Sequence, residues 1–358
     1  MPSPETATLI IVFDDEASFA SRLLPLALLG LPSGPDRRVR WHAPDLLTVR
    51  LSAAPESGVL GELEGLPGVR LIRLLRGGER LVTTGGTAPE AIFSAAGGRP
   101  GEAAVIAGPC SVESESQVLD IARFVKSAGA VALRGGAFKP RTSPYAFGGL
   151  GKEGLRMLAK AREETGLPIV TEVLDTADLD LVAEVADVLQ IGSRNMHCYP
   201  MLFHVGRNSR KRPILLKRGF AATLEEFLDA AEYVALGQLA AGRTEPCLML
   251  CERGLRSPVQ STRFCLDVGA VPALQAETRL PVIVDPSHPA GQEPFVLPLA
   301  SAALAAGADG LLVEVHFDPA SAWCDGPQSL GYSQFESLME VAREQAALRS
   351  ARVARLGT

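Results

Sequence analysis

Eight short apolar runs, separated by segments with helical periodicity, constrain the fold of this chain more than any other feature of its sequence. Such continuous runs are typical of parallel strands buried on both faces. Five helical segments lie between them, at 114–128, 152–165, 176–186, 223–239 and 297–306. Eight β/α units in about 250 residues predict a (β/α)8 barrel rather than a doubly wound sheet. The apolar runs are 103–107, 130–133, 168–172, 188–191, 213–216, 247–251, 281–284 and 310–313.

Polar and charged residues follow every one of these runs, at the positions where a barrel of this kind carries its chemistry. Loops are exposed to solvent and are therefore usually polar, so any single one of these residues could be explained without a function. A concentration of cations, carboxylates, histidines and a cysteine on one rim is harder to obtain that way, and it predicts an active site there. In chain order these residues are Cys110, Arg134, Glu172, Gln190, Arg194, Lys217, Arg218, Glu252, Arg253, Asp285, His288, Glu314 and His316.

The first 97 residues have a different pattern, roughly βαββαβ, which is typical of a ferredoxin-like layer of helices on an antiparallel sheet. Their strands are expected at 8–13, 46–51 and 69–75 and their helices at 17–29 and 58–65, with a loop-like stretch at 32–40. The segment 83–100 is rich in Gly, Thr and Pro and predicts a linker, with room for a short strand at its start. We therefore expect two domains, a ferredoxin-like domain with its linker at 1–97 and a catalytic barrel at 98–358.

The composition is that of an ordinary globular protein, with 47% hydrophobic and 21% charged residues, and it excludes a disordered chain or a disulfide scaffold. A net charge of −6 argues against a general polyanion binder, so no nucleic-acid partner is expected. The six cysteines include no close CxxC pair and are interpreted as reduced thiols. The start of the chain lacks the basic residues of a signal peptide, and the apolar stretches are too short for a membrane span. A cytoplasmic protein without a membrane partner is expected.

Four residues on or near the rim have the side chains of a metal site, namely Cys110, His288, Glu314 and Asp325. A mixture of thiolate, imidazole and carboxylate suits Mn²⁺, Fe²⁺, Co²⁺ or Zn²⁺ and disfavours Ca²⁺. The four are far apart in the sequence, so only closure of the barrel would bring them together. The structural alternative is that Cys110 is a small buried apolar residue and His288 a hydrogen-bonded rim histidine.

Basic residues form a second set on the same rim, and they predict a small phosphorylated or carboxylated substrate. A guanidinium binds phosphate oxygens in a bidentate manner, while lysine acts as a compact point charge. The alternative is that these cations are paired with Glu172, Glu252 and Asp285. The set comprises Arg134, Lys139, Arg141, Arg194, Lys217, Arg218 and Arg253.

Several of these segments together resemble the type I beta family of 3-deoxy-D-arabino-heptulosonate 7-phosphate (DAHP) synthases, in the same order along the chain. That family is a (β/α)8 barrel that condenses phosphoenolpyruvate with erythrose 4-phosphate. The reaction is the first step of the shikimate pathway to the aromatic amino acids, and it requires a divalent metal. The segments are AGPCSVE at 107–113, LRGGAFKPRTSP at 133–144, LKRG at 216–219, LCERG at 250–254, VDPSH at 284–288, VEVH at 313–316 and DGPQS at 325–329.

The resemblance implies a role for most of the rim residues. Cys110, His288, Glu314 and Asp325 would be the metal ligands, with the native ion among Mn²⁺, Co²⁺, Fe²⁺ and Zn²⁺. The loop with Pro140, Arg141 and Thr142 would receive the aldehyde, and Arg141 its phosphate or hydroxyl groups. The residues expected to bind phosphoenolpyruvate are Arg134, Lys139, Arg194, Lys217 and Arg253, and Gln190 and Asp285 complete the substrate-binding set.

The resemblance also implies the order of bond changes. The metal polarises the aldehyde oxygen, C3 of phosphoenolpyruvate attacks that carbonyl carbon, and water adds at C2. The hemiketal phosphate then loses phosphate by C–O cleavage. Lys139 is the first choice as proton donor to the new hydroxyl, and a metal-bound water near Glu172 or His316 is the alternative.

Other substrates and roles remain open at this point. The related 3-deoxy-D-manno-octulosonate 8-phosphate synthases use arabinose 5-phosphate and typically carry KANRSS where this chain has KPRTS at 139–143, which favours the four-carbon aldehyde. The family usually continues with Gln-Asn-Phe after the position of Asn195, whereas this chain has Met196 to Tyr199. This departure is explained either by neutral drift or by the use of a modified aldehyde. A non-catalytic homologue would be expected to have lost ligands. A class II aldolase would explain the metal site but not the arginines.

Two further expectations concern regulation. Cys324 precedes Asp325, so its thiol could approach Cys110, be oxidised with it to a disulfide and expel the metal, unless it is a bystander on the surface. Enzymes that resemble this chain carry a ferredoxin-like domain that closes over the barrel mouth when an aromatic amino acid binds. Feedback by Tyr or Phe and a homotetramer are therefore expected, with a role in assembly alone as the alternative for residues 1–97.

Overall fold

The front part of the chain is a four-stranded antiparallel sheet with two helices on one face. The computed structural model describes residues 6–32, 34–86, 92, 102–258 and 261–356. The strand order is β2-β3-β1-β4, which is the order of a ferredoxin-like fold and confirms that prediction. The elements are β1 Ala7–Phe13, α1 Phe19–Leu28, β2 Val39–Ala43, β3 Leu46–Leu51, α2 Ser57–Glu64, β4 Val69–Arg76 and a short helix α3 Leu81–Thr84.

Two details of this region differ from the prediction. Strand β2 was not expected, because it is an edge strand whose Arg40 and Trp41 are exposed, so it shows no alternation of buried and exposed residues. The start of the predicted linker is helical and not a strand, since the backbone N–H of Arg80 donates to the Thr83 Oγ1 (3.0 Å) and the apolar side chains of α3 are buried. The predicted domain boundary between residues 97 and 98 lies outside the described residues.

The second part of the chain is a closed barrel of eight parallel strands, as predicted. Each strand pairs with the next, and the last pairs with the first in the register Gly310 to Ala104. All eight apolar runs became strands with bounds shifted by no more than two residues. The strands are β5 Ala104–Gly108, β6 Ala132–Arg134, β7 Ile169–Glu172, β8 Val188–Ile191, β9 Ile214–Lys217, β10 Leu248–Glu252, β11 Val282–Val284 and β12 Gly310–Glu314.

Helices surround the barrel, and local sequence signals determine where several of them begin and end. The Ser114 hydroxyl accepts from the Gln117 N–H at the start of α4, and Gly129 in a left-handed conformation ends that helix. Thr223 and Glu226 form a reciprocal capping box at the start of α8. The helices are α4 Glu115–Ala128, α5 Lys152–Thr165, α6 Leu179–Val185, α7 Tyr199–Asn208, α8 Leu224–Ala240, α9 Ala270–Glu277, α10 Ser287–Ala290, α11 Glu293–Ala305 and α12 Tyr332–Leu356.

The front sheet packs against the flank of the barrel. One face of the sheet packs against α1 and α2. On the other face, Ile10, Val12, Leu46 and Leu75 pack into the apolar layer between the barrel strands and the barrel helices. Polar contacts accompany this packing at α7 and α8, and they connect elements that are far apart in the sequence. They are Arg207 to Asp45 (2.6 Å), Arg80 to Asp229 (2.7 Å), and the N–H groups of Leu81 and Val82 to the Glu232 carboxylate (2.9 and 3.1 Å).

The described helices include none that is long and apolar enough to cross a lipid bilayer.

Candidate active site

The alternation of side chains along the barrel strands explains why the rim residues point into one mouth. Ala132, Val170, Leu215, Ile283 and Leu312 belong to the apolar cluster inside the barrel. Successive residues of a strand face opposite sides, so the residue two positions further along faces inward again. At the C-terminal ends of the strands these positions are polar, namely Arg134, Glu172, Lys217, Asp285 and Glu314. The same arrangement that fills the barrel therefore places charged groups at its mouth.

The four predicted metal ligands fall into two clusters that share Asp325. The ligand atoms of His288, Glu314 and Asp325 all lie within 4.8 Å of one another, and so do those of Cys110, Cys324 and Asp325. The Cys110 Sγ is 3.2 Å from the Asp325 Oδ2, and the His288 Nε2 is 3.8 Å from the Glu314 Oε1. Ligands bound to one first-row ion at about 2.0–2.3 Å lie about 3–4 Å apart. The residues therefore fit a divalent ion with one sulfur, one nitrogen and two carboxylate ligands.

Neighbouring groups orient each of these side chains. The Asp285 Oδ2 lies 2.7 Å from the His288 Nδ1, which leaves the Nε2 facing Glu314. The Glu314 carboxylate accepts from the Arg134 Nη1 (2.8 Å) and from the Gln328 Nε2 (2.6 Å). Carboxylate partners behind a histidine and donors behind a ligating carboxylate are typical of metal sites in proteins.

Asp325 has a left-handed backbone, with a φ angle of 52°, which aspartate tolerates better than most residues. This conformation directs one carboxylate oxygen to Cys110 and the other to the Arg263 Nη1 (3.1 Å). Arg263 also donates to the Gln328 Oε1 (2.8 Å), so the two groups that hold Asp325 and Glu314 are themselves connected. Sequence reasoning did not single out Arg263 or Gln328, although Gln328 lies within the DGPQS segment.

Ionisation of the site favours metal binding at His288 and the carboxylates. Burial lowers the pKa of His288, so the imidazole is neutral near neutral pH and has a free lone pair. Burial would raise the pKa of Asp325, but His288, the Cys110 hydrogen bond and Arg263 outweigh it and hold that pKa below its usual range. For Glu314, His288 and Arg134 likewise outweigh burial and lower the pKa. The hydrogen bond to Cys324 and burial raise the pKa of Cys110, so this thiol must lose its proton when a metal binds.

Cys324 is not a bystander on the surface, because it is buried and its Sγ lies 2.9 Å from the Cys110 Sγ. Both cysteines carry free thiols, as do the other four cysteines of the chain. The hydrogen bond from Cys110 lowers the pKa of Cys324. The structure therefore places a second thiol directly against the first.

Lys139 contacts Cys110 and lies at the start of the loop that is expected to receive the aldehyde. Its ammonium donates to the Cys110 carbonyl oxygen (2.9 Å) and to the Cys110 Sγ (3.1 Å). Gly136 permits this approach, because a Cβ at that position would lie 2.6 Å from the Lys139 Cδ and 2.8 Å from the Cys110 oxygen. Burial would lower the pKa of Lys139, but its interactions with Cys110, Cys324 and Glu314 outweigh burial and raise that pKa, so the group stays protonated.

The loop that follows Lys139 is more open. Pro140 and Arg141 are half-buried and Thr142 is exposed. The Arg141 Nε donates to the Phe147 carbonyl oxygen (2.6 Å), which holds the loop in a compact turn. Within the described residues, no hydrogen bond or ion pair connects the side chains of these three residues with the predicted metal ligands.

The predicted basic residues fall into two groups. Lys217 is paired with Asp285, and Arg218 with both Glu252 and Asp267, so the expected alternative of ion pairing holds for these two cations. Arg134 is paired with Glu314, a partner that this alternative did not include. Among the residues that the structure describes, Arg194 and Arg253 have no carboxylate within 4.0 Å. These two guanidinium groups are therefore available for an anion.

The other candidate residues lie on neighbouring strands of the rim. The Gln190 Nε2 donates to the Glu172 Oε2 (3.2 Å), and a Cβ at Gly192 would lie 1.9 Å from the Glu172 Oε1, so a larger residue there would displace the Glu172 carboxylate. The segment that departs from the family pattern begins with the buried Met196, whose sulfur accepts the Gly219 N–H (3.0 Å) beneath the turn after β9.

His316 lies behind the metal-ligand group and not among the ligands. It is buried, and its Nδ1 lies 2.7 Å from the Asp318 carbonyl oxygen. Its Nε2 is 3.7 Å from the Glu113 Oε2 and has no hydrogen-bond partner within the described part of the chain.

The profile of the DAHP synthetase I family matches residues 89–350. A phospho-2-dehydro-3-deoxyheptonate aldolase of Thermotoga maritima is 47% identical over 242 residues, which cover 68% of this chain and 69% of that protein. A 2-dehydro-3-deoxyphosphooctonate aldolase of Syntrophotalea carbinolica is 33% identical over 255 residues, which cover 66% and 88% of the two chains.

Solved structures agree with these relatives. The crystal structure of a DAHP synthase from Thermotoga maritima superposes with a TM-score of 0.68 at 33% identity, and the match covers 96% of this chain and 98% of that one. A truncated form of the 3-deoxy-D-arabino-heptulosonate 7-phosphate synthase from the same organism gives a TM-score of 0.62 at 42% identity, over 70% of this chain and 89% of that one. The likeness to the first structure therefore includes the front sheet as well as the barrel.

Proposed function

Because the chain belongs to the DAHP synthetase I family, we propose that it condenses phosphoenolpyruvate with erythrose 4-phosphate to give DAHP and phosphate, the first step of the shikimate pathway. The observation that carries this proposal is the combination of a sulfur, an imidazole and two carboxylates with two unpaired arginines at one barrel mouth. A phosphorylated substrate needs the arginines, and a carbonyl acceptor needs an electrophile beside them. A metal-dependent aldolase without a phosphorylated donor would not account for the arginines.

Cys110, His288, Glu314 and Asp325 would hold the metal, and the donor set fits Mn²⁺, Fe²⁺, Co²⁺ or Zn²⁺. When bound, such an ion acts as a Lewis acid that polarises the aldehyde carbonyl. Asp285 keeps the His288 ring in the orientation that presents its Nε2, and Arg134 with Gln328 holds the Glu314 carboxylate.

Arg194 and Arg253 bind the phosphate of phosphoenolpyruvate in this proposal, because within the described residues neither has a carboxylate partner and Arg253 is a buried guanidinium. Arg134 and Lys217 remain paired and direct their remaining N–H donors to the carboxylate of the same substrate, with Gln190 beside them. Asp285 keeps Lys217 in place. This division leaves the C3 of the enol facing the aldehyde.

The aldehyde enters over the loop from Lys139 to Thr142, where Arg141 binds its phosphate or a hydroxyl group and Pro140 limits the length of the sugar. Of the two relatives described above, the heptonate enzyme is the more similar at 47% identity, against 33% for the octonate enzyme. This difference supports the four-carbon aldehyde over arabinose 5-phosphate or a modified sugar.

The Lys139 ammonium donates the proton to the aldehyde oxygen as C3 of phosphoenolpyruvate forms the new C–C bond. Its raised pKa keeps it charged before the step, and its place beside Cys110 puts it next to the predicted ligands. Water then adds at C2, and the C–O bond breaks to release phosphate. The alternative to Lys139 as proton donor to the new hydroxyl is a water molecule near Glu172 or His316.

Regulation and assembly are proposed from the family resemblance. The sheet of residues 7–76 would bind Tyr or Phe and then move over the barrel mouth, and the assembled enzyme would be a homotetramer of the cytoplasm. In the structure this sheet contacts α7 and α8 on the flank, so the movement would have to break the Asp45–Arg207 and Asp229–Arg80 pairs.

The proposal is tested by phosphoenolpyruvate consumption with added divalent metal, run in parallel with erythrose 4-phosphate, arabinose 5-phosphate and no aldehyde. We expect turnover only with erythrose 4-phosphate, and loss of turnover with a chelator. Turnover with arabinose 5-phosphate alone would replace the proposed acceptor, and no turnover with either sugar would contradict the proposed reaction.

A further inference from the structure

Two stacked phenyl rings, Phe220 and Phe264, lie near the ends of the barrel strands, and the proposed function has so far assigned them no role. Phe220 follows the turn at the end of β9, and Phe264 lies on the segment between β10 and α9. Their ring centroids are 5.6 Å apart with an interplanar angle of 20°. The Arg256 N–H donates to the Phe220 carbonyl oxygen (2.7 Å) and connects the two segments. Both rings are half-buried.

Three guanidinium groups converge on Phe220. The Cζ atoms of Arg253 and Arg256 each lie 4.9 Å from the ring centroid, and that of Arg194 lies 5.6 Å from it. Arg253 also lies 4.3 Å from the centroid of Phe264. A cation within about 6 Å of a ring centroid is attracted by the negative face of the ring.

These three arginines differ from the other cations of the mouth. Across the described residues none of them has a carboxylate within 4.0 Å, whereas Arg218 next to them is paired with Glu252 and Asp267. Arg253 is 4% exposed, its Nε makes no hydrogen bond within the described residues, and its Nη1 reaches only the Gly254 carbonyl oxygen at 3.4 Å. Arg253 is thus a buried cation with unused donors.

The kind of partner decides what an arginine can still bind. A carboxylate partner occupies the N–H donors that a phosphate needs, but the face of a ring stabilises the charge and leaves those donors free. Three like charges around one ring repel one another, and that repulsion is relieved when a phosphate binds between them. An aromatic platform therefore suits a site that must remain cationic until its substrate arrives.

We propose that Phe220 is a positioning residue that holds Arg194, Arg253 and Arg256 as one anion-binding group, and that Arg256 is a third arginine contacting the phosphate of phosphoenolpyruvate. Phe264, which is stacked on Phe220, also contacts Arg253. This inference rests on the proposed function for the identity of the phosphate, but the geometry of the arginine group does not depend on it.

Equilibrium binding to the full-length protein tests the inference without turnover. Calorimetric titrations with phosphoenolpyruvate and with inorganic phosphate compare the wild type with Phe220→Leu, Phe220→Tyr and Arg256→Gln. The ring control is Tyr233→Leu. It removes an α8 ring whose centroid lies 5.9 Å from the Arg40 Cζ. The charge control is Arg123→Gln, which removes an exposed arginine of α4.

Phe220→Leu and Arg256→Gln are each expected to weaken binding of both anions about tenfold, since cation–π and charge-assisted contacts are lost. Phe220→Tyr retains the ring and is expected to bind within about twofold of the wild type, as are the two controls. Circular dichroism and thermal unfolding verify that each variant is folded. In steady-state kinetics, the KM for phosphoenolpyruvate rises in Phe220→Leu, while kcat and the KM for erythrose 4-phosphate stay near the wild-type values.

Wild-type affinity in Phe220→Leu, or an Arg256→Gln variant that matches Arg123→Gln, would overturn the inference. A rise confined to the KM for erythrose 4-phosphate would also overturn it, because the arginines would then serve the other substrate. If the wild type binds phosphoenolpyruvate and the variants lose that binding, but no sugar supports turnover, the arginine group stands and the proposed reaction fails. If the wild type binds neither anion, both fail.

Discussion

Asp285 supports both halves of the candidate site, so its replacement by asparagine should disturb stability and metal binding together. Its Oδ2 contacts the Lys217 ammonium and lies 2.7 Å from the His288 Nδ1, while its Oδ1 accepts the His288 N–H (3.0 Å). The Lys217 side chain is 4% exposed and that of Asp285 is 1% exposed. Asp285→Asn preserves the shape of the side chain and removes only its charge.

The magnitude follows from this burial. Removing one partner of a buried ion pair leaves the other charge without compensation, which costs about 3–5 kcal/mol of unfolding free energy. The exposed Arg80–Asp229 pair, whose side chains are 25% and 53% exposed, should contribute only about 0–1 kcal/mol. Loss of the carboxylate behind His288 should also reduce metal affinity about 10–100-fold.

Urea-induced unfolding of the metal-free protein measures the first effect, and competition with a metal indicator measures the second. Asp229→Asn is the matched control, because it removes the same charge from an exposed pair. The double variant Lys217→Met/Asp285→Asn removes both buried charges and should recover most of the lost stability. An Asp285→Asn variant within about 1 kcal/mol of the wild type would refute the reasoning, and so would a double variant as unstable as the single one.

Three further predictions concern oxidation, the acceptor and pH. Hydrogen peroxide should join Cys110 and Cys324, whose sulfurs lie 2.9 Å apart, and inactivate the wild type but not Cys324→Ser; a full count of six reduced thiols in inactivated protein would contradict this. Arg141→Leu should raise the KM for erythrose 4-phosphate about tenfold and leave that for phosphoenolpyruvate unchanged in steady-state kinetics, since a charge-assisted hydrogen bond is lost. Burial would raise the pKa of Asp285, but His288 and Lys217 hold that pKa well below its usual range in the folded protein. The ionised carboxylate therefore stabilises the fold at pH values above the pKa of an unfolded aspartate, and this stabilisation is lost as the pH falls through the lower pKa of the folded state. In unfolding titrations, the difference between the wild type and Asp285→Asn should therefore stay constant between about pH 8 and 5 and decline only below about pH 4.

Much of the fold could be predicted because its signals are local. Each barrel strand is a short apolar run, and each predicted helix has an apolar face that a window of a few turns reveals. The elements that sequence reasoning missed are those whose patterns are weak. Strand β2 is an exposed edge, α9 has only eight residues, and α7 begins with Tyr199-Pro200, where polar and apolar residues do not alternate clearly.

The candidate site was predictable to a lesser extent. The polar residues after the strands could be named because the barrel sends the inward positions of all strands to one mouth. Which cation pairs with which carboxylate could not be predicted, since nothing in the sequence near Lys217 indicates that Asp285, 68 residues away, and not Glu172 or Glu252, is its partner. The same holds for Arg263, which contacts Asp325 across 62 residues, and for the ring pair that faces the unpaired arginines.

The sequence by itself determined the eight β/α units, the ferredoxin-like front part and the chemical types available on the rim, because hydrophobic periodicity and residue type act over short stretches. The tertiary structure alone decided which of those residues carry an available charge. Lys217 and Arg253 both lie at the ends of barrel strands, yet one is neutralised by a carboxylate and the other lies against two phenyl rings. That difference depends on the distance between atoms far apart in the chain, and electrostatic interaction in a buried mouth changes steeply with that distance and with the surrounding dielectric.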